Sequence, residues 1–86
     1  MGEGRRGVDE LLQKLALRVR RRRKELGLSQ EALALKAGLQ RSHVGHVEQA
    51  KRDVRFSTLV KLAFALGIDL GELLKGIELT HPPDAR

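Results

Sequence analysis

The sequence contains no cysteine. Disulfide scaffolds, thiolate metal sites and catalysis by a thiol are therefore excluded, and the absence suits a cytosolic protein. No apolar run approaches the roughly 20 residues that cross a bilayer, and residues 1–7 lack the apolar stretch of a signal peptide. The sequence therefore predicts neither a membrane span nor a targeting segment.

Aromatic residues are almost missing, since Phe56 and Phe64 are the only two and neither tryptophan nor tyrosine occurs. Proteins that bind single-stranded nucleic acid stack successive bases on exposed aromatic rings. That mode of recognition is therefore not expected. A chain of 86 residues also buries only about 60–65% of its unfolded surface, which leaves little room for a deep catalytic cavity. We expect a non-enzymatic protein without a cofactor.

Positive charge is abundant, with 17 Lys and Arg against 11 Asp and Glu and a net charge of +6. The charge is uneven, because residues 1–27 carry a net +5, residues 28–55 a net +2 and residues 56–86 a net −1. A small basic chain favours a nucleic-acid partner first and an anionic membrane surface second. The neutral C-terminal third is better suited to packing or self-association.

The pattern of apolar residues, caps and glycines predicts an all-α fold of five helices. The first begins near Val8 or Asp9 and stops at Gly27, and it is followed by helices at Gln30–Ala37 and Arg41–Gln49. A fourth helix runs from Phe56 to a stop at Gly67, and a fifth follows an Asp69 cap through Leu74. The expected apolar faces are Leu12, Leu15, Val19 and Leu26 on the first helix and Phe56, Leu59, Leu62, Ala63 and Leu66 on the fourth.

The window 30–49 is the most informative part of the chain. Two short helices are joined by Gly38, Leu39 and Gln40, a connection of helix-turn-helix length. Gly38 stands where a left-handed backbone is needed, and Ala34 stands where two helices that cross steeply need a small side chain. The side chains expected to face the interior are Leu33, Ala37, Leu39, Val44 and Val47. An ordinary helical hairpin in a small bundle fits this window alone almost as well.

The flanking sequence resembles the lambda-repressor-like helix-turn-helix domains of phage repressors, Cro proteins and bacterial regulators of the Cro/C1 type (the XRE family). The likeness is carried by RVRRRRKELGLSQEALALKAG, by VEQAKR and by FSTLVKLAFALGIDLGELLKG, and it covers residues 18–76. It implies a compact five-helix domain over 8–76 whose third helix enters the major groove of DNA. Residues 1–7 are expected to form a flexible head and residues 77–86 a tail, disordered from Thr80.

The resemblance implies a role for each matching position. Arg41, Ser42 and His46 match positions that read base edges, and the Arg41 fork suits guanine O6 and N7. Arg55 matches an arginine placed near the minor groove between half-sites. Contacts with phosphate, or support of the base readers, are implied for Gln30, Gln40, His43, Gln49, Lys51 and Arg52, and Arg18 and Arg22 are expected near DNA.

An ion pair between the first and third helices is implied as well, because relatives pair an arginine and a glutamate at the positions of Arg23 and Glu48. Five consecutive cations from Arg20 to Lys24 wrap around a helix, so at least one must lie beside the core, and Arg23 is expected there. Arg20 and Arg21 are expected in solvent.

Three details of the sequence depart from the family pattern. Ala50 stands where many relatives have glycine, and because alanine is strained in a left-handed backbone, the third helix is expected to run on by a turn or the loop to differ. Val54 stands where a proline is frequent. Gln40 is a weaker N-cap for the third helix than serine or threonine. His43 and His46 are three residues apart on one helix, but no third metal ligand is near, and a metal site is not expected.

Together these features predict a sequence-specific regulator of transcription that binds double-stranded DNA, at a palindromic operator, as a homodimer in the cytoplasm, associated with the nucleoid. A dimer interface is expected at Leu70, Leu74, Ile77 and Leu79, since these residues exceed what a five-helix core can bury. The alternatives are an antitoxin or a restriction–modification controller with a protein partner, a helical interaction module that does not bind DNA, and a basic helix on a membrane surface.

Overall fold

Five helices form the chain, which is described over residues 6–82 by a computed structural model. They are α1 (Arg6–Glu25), α2 (Gln30–Ala37), α3 (Arg41–Glu48), α4 (Phe56–Leu66) and α5 (Leu70–Leu74). The all-helical fold class is confirmed, and no strand occurs within the described residues. Residues 1–5 of the expected flexible head and residues 83–86 of the expected tail lie outside the described residues.

The helix ends follow local chemistry. The Ser29 and Asp69 side chains cap α2 and α5, because they accept hydrogen bonds from the backbone N–H groups of Ala32 at 3.0 Å and Glu72 at 2.7 Å. Gly67 ends α4 with a φ of +71°, a conformation that glycine adopts without strain. Helix α1 begins two residues earlier than expected, at Arg6, so the sequence boundary at Val8 was wrong.

The core is purely apolar. It combines side chains from all five helices, and Val19, Leu33, Val44, Leu62, Leu66 and Leu73 are completely buried. Helix α3 packs against both α1 and α2, while α4 packs against α1, α2 and α5. Helix α3 and the other helices therefore share one core, which fixes the direction in which the outer face of α3 points.

Two apolar faces differ from the sequence interpretation. Leu26 is 40% exposed, so it leaves the α1 stripe, and Phe56 is 70% exposed, so it does not join Leu59, Leu62, Ala63 and Leu66 in the core. Leu26 follows the last residue of α1. Phe56 differs because α4 has two apolar faces. Phe56, Val60 and Phe64 recur every four residues on the face that points away from the core.

Candidate nucleic-acid interface

The turn between α2 and α3 sets the direction of the α3 axis relative to α2. Gly38 has a φ of +67°, and Leu39 donates a backbone hydrogen bond of 2.9 Å to the carbonyl of Ala34 across the turn. This is the left-handed helix termination that glycine favours. Leu33, Ala34, Ala37, Val44 and Val47 are buried and Leu39 packs on the core, as the window predicted.

The outer face of α3 carries the side chains expected to read bases. Arg41 and Ser42 are exposed at the N-terminus of α3, and neither makes a hydrogen bond or ion pair within residues 6–82. His43 is exposed and His46 is half-buried one turn further on. Val44 and Val47 hold the opposite face in the core. The polar groups of this face are therefore directed outward and have hydrogen-bonding capacity to offer a ligand.

Gly45 keeps the centre of this outer face flat. A Cβ atom built at Gly45 would meet no heavy atom within 4 Å, and its backbone is ordinary helix. The protein interior therefore does not require glycine at this position. A helix without a side chain there can approach a ligand more closely.

Glu48 joins three helices at the end of α3. Its carboxylate accepts hydrogen bonds from Arg23 Nε at 2.6 Å and Arg23 Nη2 at 3.0 Å, so the predicted partners lie together. Gln30 Nε2 donates a third bond of 3.0 Å from the start of α2. The side chains of Arg23 and Glu48 are only 11% and 3% exposed. The network holds α1, α2 and α3 in one relative orientation.

The titration of the pair follows from these contacts. Burial by itself would raise the pKa of Glu48, but the hydrogen bonds from Arg23 and Gln30 and the neighbouring positive charges outweigh it, so the pKa is lowered. The hydrogen bond to Glu48 raises the pKa of Arg23 above its usual value, and burial opposes this only in part. Both groups are therefore charged at neutral pH.

Gln30, expected to contact phosphate, has a structural role in addition. One amide N–H group is bonded to Glu48. An amide nitrogen carries two N–H groups, so Gln30 can bind Glu48 and an external oxygen together.

Arg18 and Arg22 correct the sequence interpretation. The Arg18 guanidinium donates to the backbone carbonyls of Glu72, Leu73 and Lys75 at the end of α5, at 2.9–3.1 Å. Arg22 Nε donates to the carbonyl of Leu66 at the end of α4, and its Nη1 lies 3.3 Å from Glu25 Oε1. Both arginines cap helix C-termini, a role that the sequence interpretation did not include, and the phosphate contacts expected of them stay predictions. A periodic charge pattern contains no sign of these partners, which lie more than 40 residues away.

The loop after α3 presents further polar and basic side chains. Gln49, Lys51, Arg52 and Arg55 are exposed, as is Gln40 before α3. Ala50 has a φ of +55°, so alanine adopts the left-handed backbone that the sequence interpretation described as unfavourable. Gln40 makes no side-chain cap on α3, which agrees with its weak capping preference.

Most of the residues expected at a dimer interface are not exposed in the way that the sequence interpretation assumed. Leu70, Leu74 and Ile77 are partly buried and pack against the core. Leu79 is 41% exposed, and its Cδ2 atom lies 3.0 Å from where a Cβ of Gly7 would be. The premise that the core cannot bury these four residues is therefore wrong for three of them. The larger exposed apolar surface, missed by the sequence interpretation, is the α4 stripe formed by Phe56, Val60 and Phe64.

Comparison with known proteins identifies the family. A family model described as helix-turn-helix matches residues 19–73, and control protein C.SmaI from Serratia marcescens is 47% identical over 60 residues, which are 70% of this chain and 71% of that protein. The chain belongs to this helix-turn-helix family. It is a DNA-binding regulator of transcription of the Cro/C1 type.

Solved structures of other helix-turn-helix proteins share the fold. The restriction–modification controller protein C.AhdI from Aeromonas hydrophila superposes with a TM-score of 0.70 at 48% identity, over 72% of this chain and 94% of that one. The hypothetical transcription factor NHTF from Neisseria gives 0.71 at 34% identity, over 81% of this chain and 77% of that one.

The described part of this helix-turn-helix protein offers neither a metal centre nor a bilayer-crossing element. No group of three or more His, Cys, Asp or Glu side chains within residues 6–82 is arranged to hold a metal ion. None of its described helices combines the length and the apolar character that crossing a membrane requires.

Proposed function

We propose that this regulator recognises a specific duplex DNA sequence through the outer face of α3, as a binding protein without catalytic activity that acts in the cytoplasm. The observation that carries the proposal is the exposure of Arg41 and Ser42 at the start of α3, without internal partners in the described chain. An arginine fork can bind guanine O6 and N7 at once, which makes Arg41 the principal reader. Ser42 and His46 supply neighbouring contacts.

The side chains around this face suit the DNA backbone. Polar and basic groups flank α3 on its approach and in the following loop, and they are exposed. Such contacts position a protein on the duplex, whereas base contacts specify the sequence. The proposed backbone contacts are Gln30, Gln40, His43, Gln49, Lys51 and Arg52, with Arg55 directed to the minor groove.

The test compares two arginines. Arg41→Ala should reduce the ratio of operator affinity to scrambled-duplex affinity, at a cost of about 1–3 kcal/mol, because a base contact is lost. Arg52→Ala should weaken both duplexes alike, because a phosphate contact is lost. Fluorescence anisotropy at several salt concentrations measures both effects. Absence of binding to any duplex at low salt would contradict the proposal and favour an interaction module that does not bind DNA.

A second copy of the chain is the proposed partner of the α4 stripe. One α3 helix reaches only a few base pairs, and a two-fold dimer places two such helices on half-sites about 34 Å apart. Phe56, Val60 and Phe64 are 70%, 43% and 77% exposed on one helix face, in the part of the sequence with little net charge. A helix face of this kind can pack against its own symmetry-related copy. This stripe takes the place of the interface expected at Leu70, Leu74, Ile77 and Leu79.

Sedimentation equilibrium tests the dimer. The wild type should be dimeric at micromolar concentration, and Phe64→Lys should sediment as a monomer with intact helical content. Leu35→Lys is a matched control, because Leu35 is 84% exposed on α2 and lies outside the stripe. A wild type that stays monomeric well above micromolar concentration, with and without DNA, would refute the dimer.

Control of a restriction–modification system is the more specific role that we propose. The observation in its favour is the 47–48% identity to control protein C.SmaI and to the restriction–modification controller C.AhdI. A reporter fused to the DNA upstream of this gene should respond to the protein, and a restriction or modification gene should lie beside it. A neighbouring toxin gene would instead indicate an antitoxin.

A further inference from the structure

The basic run of α1 divides into side chains with internal partners and side chains without them. Arg22 and Arg23 are bonded to α4 and to Glu48. The side chains of Arg20, Arg21 and Lys24 are exposed and make no hydrogen bond or ion pair within residues 6–82. Three exposed cations on one short segment create a positive surface.

Their directions around α1 differ. Each residue turns an α-helix by about 100°, so Arg20 lies about 60° from Arg23, the residue that contacts α3. Lys24 lies about 40° from Arg20 and about 100° from Arg23, in the last turn of α1. Arg21 lies about 60° from Arg18, whose guanidinium contacts α5, and about 160° from Arg23. Arg20 therefore borders the α3 side of α1, Lys24 lies beside Arg20 on the outer face, and Arg21 borders the α5 side.

The α3 side of α1 is also the side of the proposed DNA contacts. The positive charge of Arg20 acts on the Glu48 carboxylate at the end of α3. Gln30 is bonded to the same carboxylate, and Arg23 Nη1 donates a 2.8 Å bond to the carbonyl of Leu28, just before α2. The end of α1, the start of α2 and the end of α3 thus meet at one junction. Arg20 lies beside this junction, and Lys24 follows it one turn later on the exposed face of α1.

We propose that Arg20 and Lys24 form a second phosphate-binding edge, which contacts the DNA backbone next to the phosphate bound by Gln30. The inference rests on the proposed function, because it assigns additional contacts to the same DNA ligand. The edge carries no sequence information. It adds affinity and salt dependence to the contacts made by α3 and its loop, while Arg21 contributes only to the general charge.

The experiment compares the double variant Arg20→Gln/Lys24→Gln with the matched control Arg21→Gln/Lys14→Gln. All four side chains are exposed, and both variants lose two positive charges. Binding to a long duplex that contains the operator is measured by fluorescence anisotropy between about 50 and 200 mM salt. Each lost phosphate contact lowers the slope of log affinity against log salt by about 0.9. Across that range the wild type should therefore lose about tenfold more affinity than the double variant.

The outcomes separate the two proposals. The inference predicts that the control variant keeps a slope close to that of the wild type, and that both variants keep the ratio of operator to scrambled-duplex affinity. Equal slopes for the two double variants would overturn the inference and leave the regulator intact. Failure of the wild type to bind any duplex would overturn the proposed function itself. Thermal unfolding by circular dichroism verifies that each variant is folded.

Discussion

Glu48 links the end of α3 to α1 and α2 through its side chain. Its carboxylate accepts three hydrogen bonds from α1 and α2 while its side chain is 3% exposed. Most of the hydrogen-bond acceptor sites of the Glu48 carboxylate are therefore occupied by donors inside the protein. No buried side-chain nitrogen or oxygen atom of the described chain lacks a hydrogen-bond partner. The orientation of α3 therefore depends on the charge of Glu48 as well as on the core contacts of Val44 and Val47.

A double-mutant cycle tests this dependence. Glu48→Leu alone should lower the free energy of unfolding by about 3 kcal/mol, because Arg23 is left as a poorly compensated charge. Adding Arg23→Met should recover part of that loss, since no unpaired charge remains. Urea unfolding of the four proteins gives the coupling energy. If the loss of unfolding free energy in the double variant equals the sum of the losses in the two single variants, the energetic coupling of Arg23 and Glu48 is contradicted.

The stability should also depend on acid pH through Glu48. Its pKa in the folded protein lies below its ordinary value of about 4.3, which describes the unfolded chain. The corresponding stabilisation is complete above the unfolded pKa and is lost as the pH falls through the folded pKa. Between about pH 5 and pH 2 the wild type should lose more free energy of unfolding than Glu48→Gln. Parallel pH curves for the two proteins would count against this role.

Ala50 is a strained residue that can be relieved. Its φ of +55° puts the Cβ atom close to backbone oxygen. Ala50→Gly should therefore raise the free energy of unfolding by about 1 kcal/mol. Thermal unfolding measures the change, and an unchanged or lower midpoint would show that the left-handed backbone is not strained.

For single residues, the sequence predicted those side-chain partners whose positions the family resemblance links. The partners Arg23 and Glu48 could be named in advance because the resemblance links their positions. Arg18 and Arg22 could not be assigned, since their partners are backbone carbonyls of α4 and α5 and only the packing of those helices brings them within reach. A side chain that bonds to a backbone carbonyl needs no particular residue type as its partner, so the sequence does not reveal the pair.

Among the elements, α1 has a role beyond supplying core side chains. Arg18 and Arg22 bind the carbonyl ends of α5 and α4, where the helix dipole favours a positive charge. Helix α5 has only five residues, which is too short to be stable without tertiary contacts. Its position therefore depends on α1.

Arg18→Met keeps a long apolar stem but removes the three bonds to α5. The expected loss is about 1–2 kcal/mol of unfolding free energy, together with faster hydrogen exchange of the α5 amides. The exposed Arg21→Met is the control and should change neither. DNA affinity should keep its salt slope in Arg18→Met. A reduced slope with normal exchange would support the phosphate contact and contradict the capping role.

The helix boundaries could be predicted closely because their signals are local. Ser29, Gly38, Gly67 and Asp69 each act within a few residues through a cap or a left-handed turn. The faces of α4 could not be predicted, because both carry apolar residues at helical spacing. Only packing against α1, α2 and α5 decides that Leu62 and Leu66 are buried while Phe56 and Phe64 face outward.

Across the whole molecule, the described residues of α3 and α4 form two exposed surfaces of different chemistry. The outer face of α3 is polar and basic, and the α4 stripe is apolar. The first is the proposed DNA-binding surface and the second is the proposed contact with another copy of the chain. Under this proposal, a regulator that reads two half-sites needs both surfaces.

Selection of bound duplexes from a random pool tests the central claim most directly. The wild type should enrich one two-fold symmetric consensus with half-site centres about 34 Å apart, or about 10 base pairs. Arg41→Ala should lose preference at one base pair in each half-site and keep the others. Enrichment of no sequence, or of the same consensus with equal discrimination by Arg41→Ala, would contradict the account.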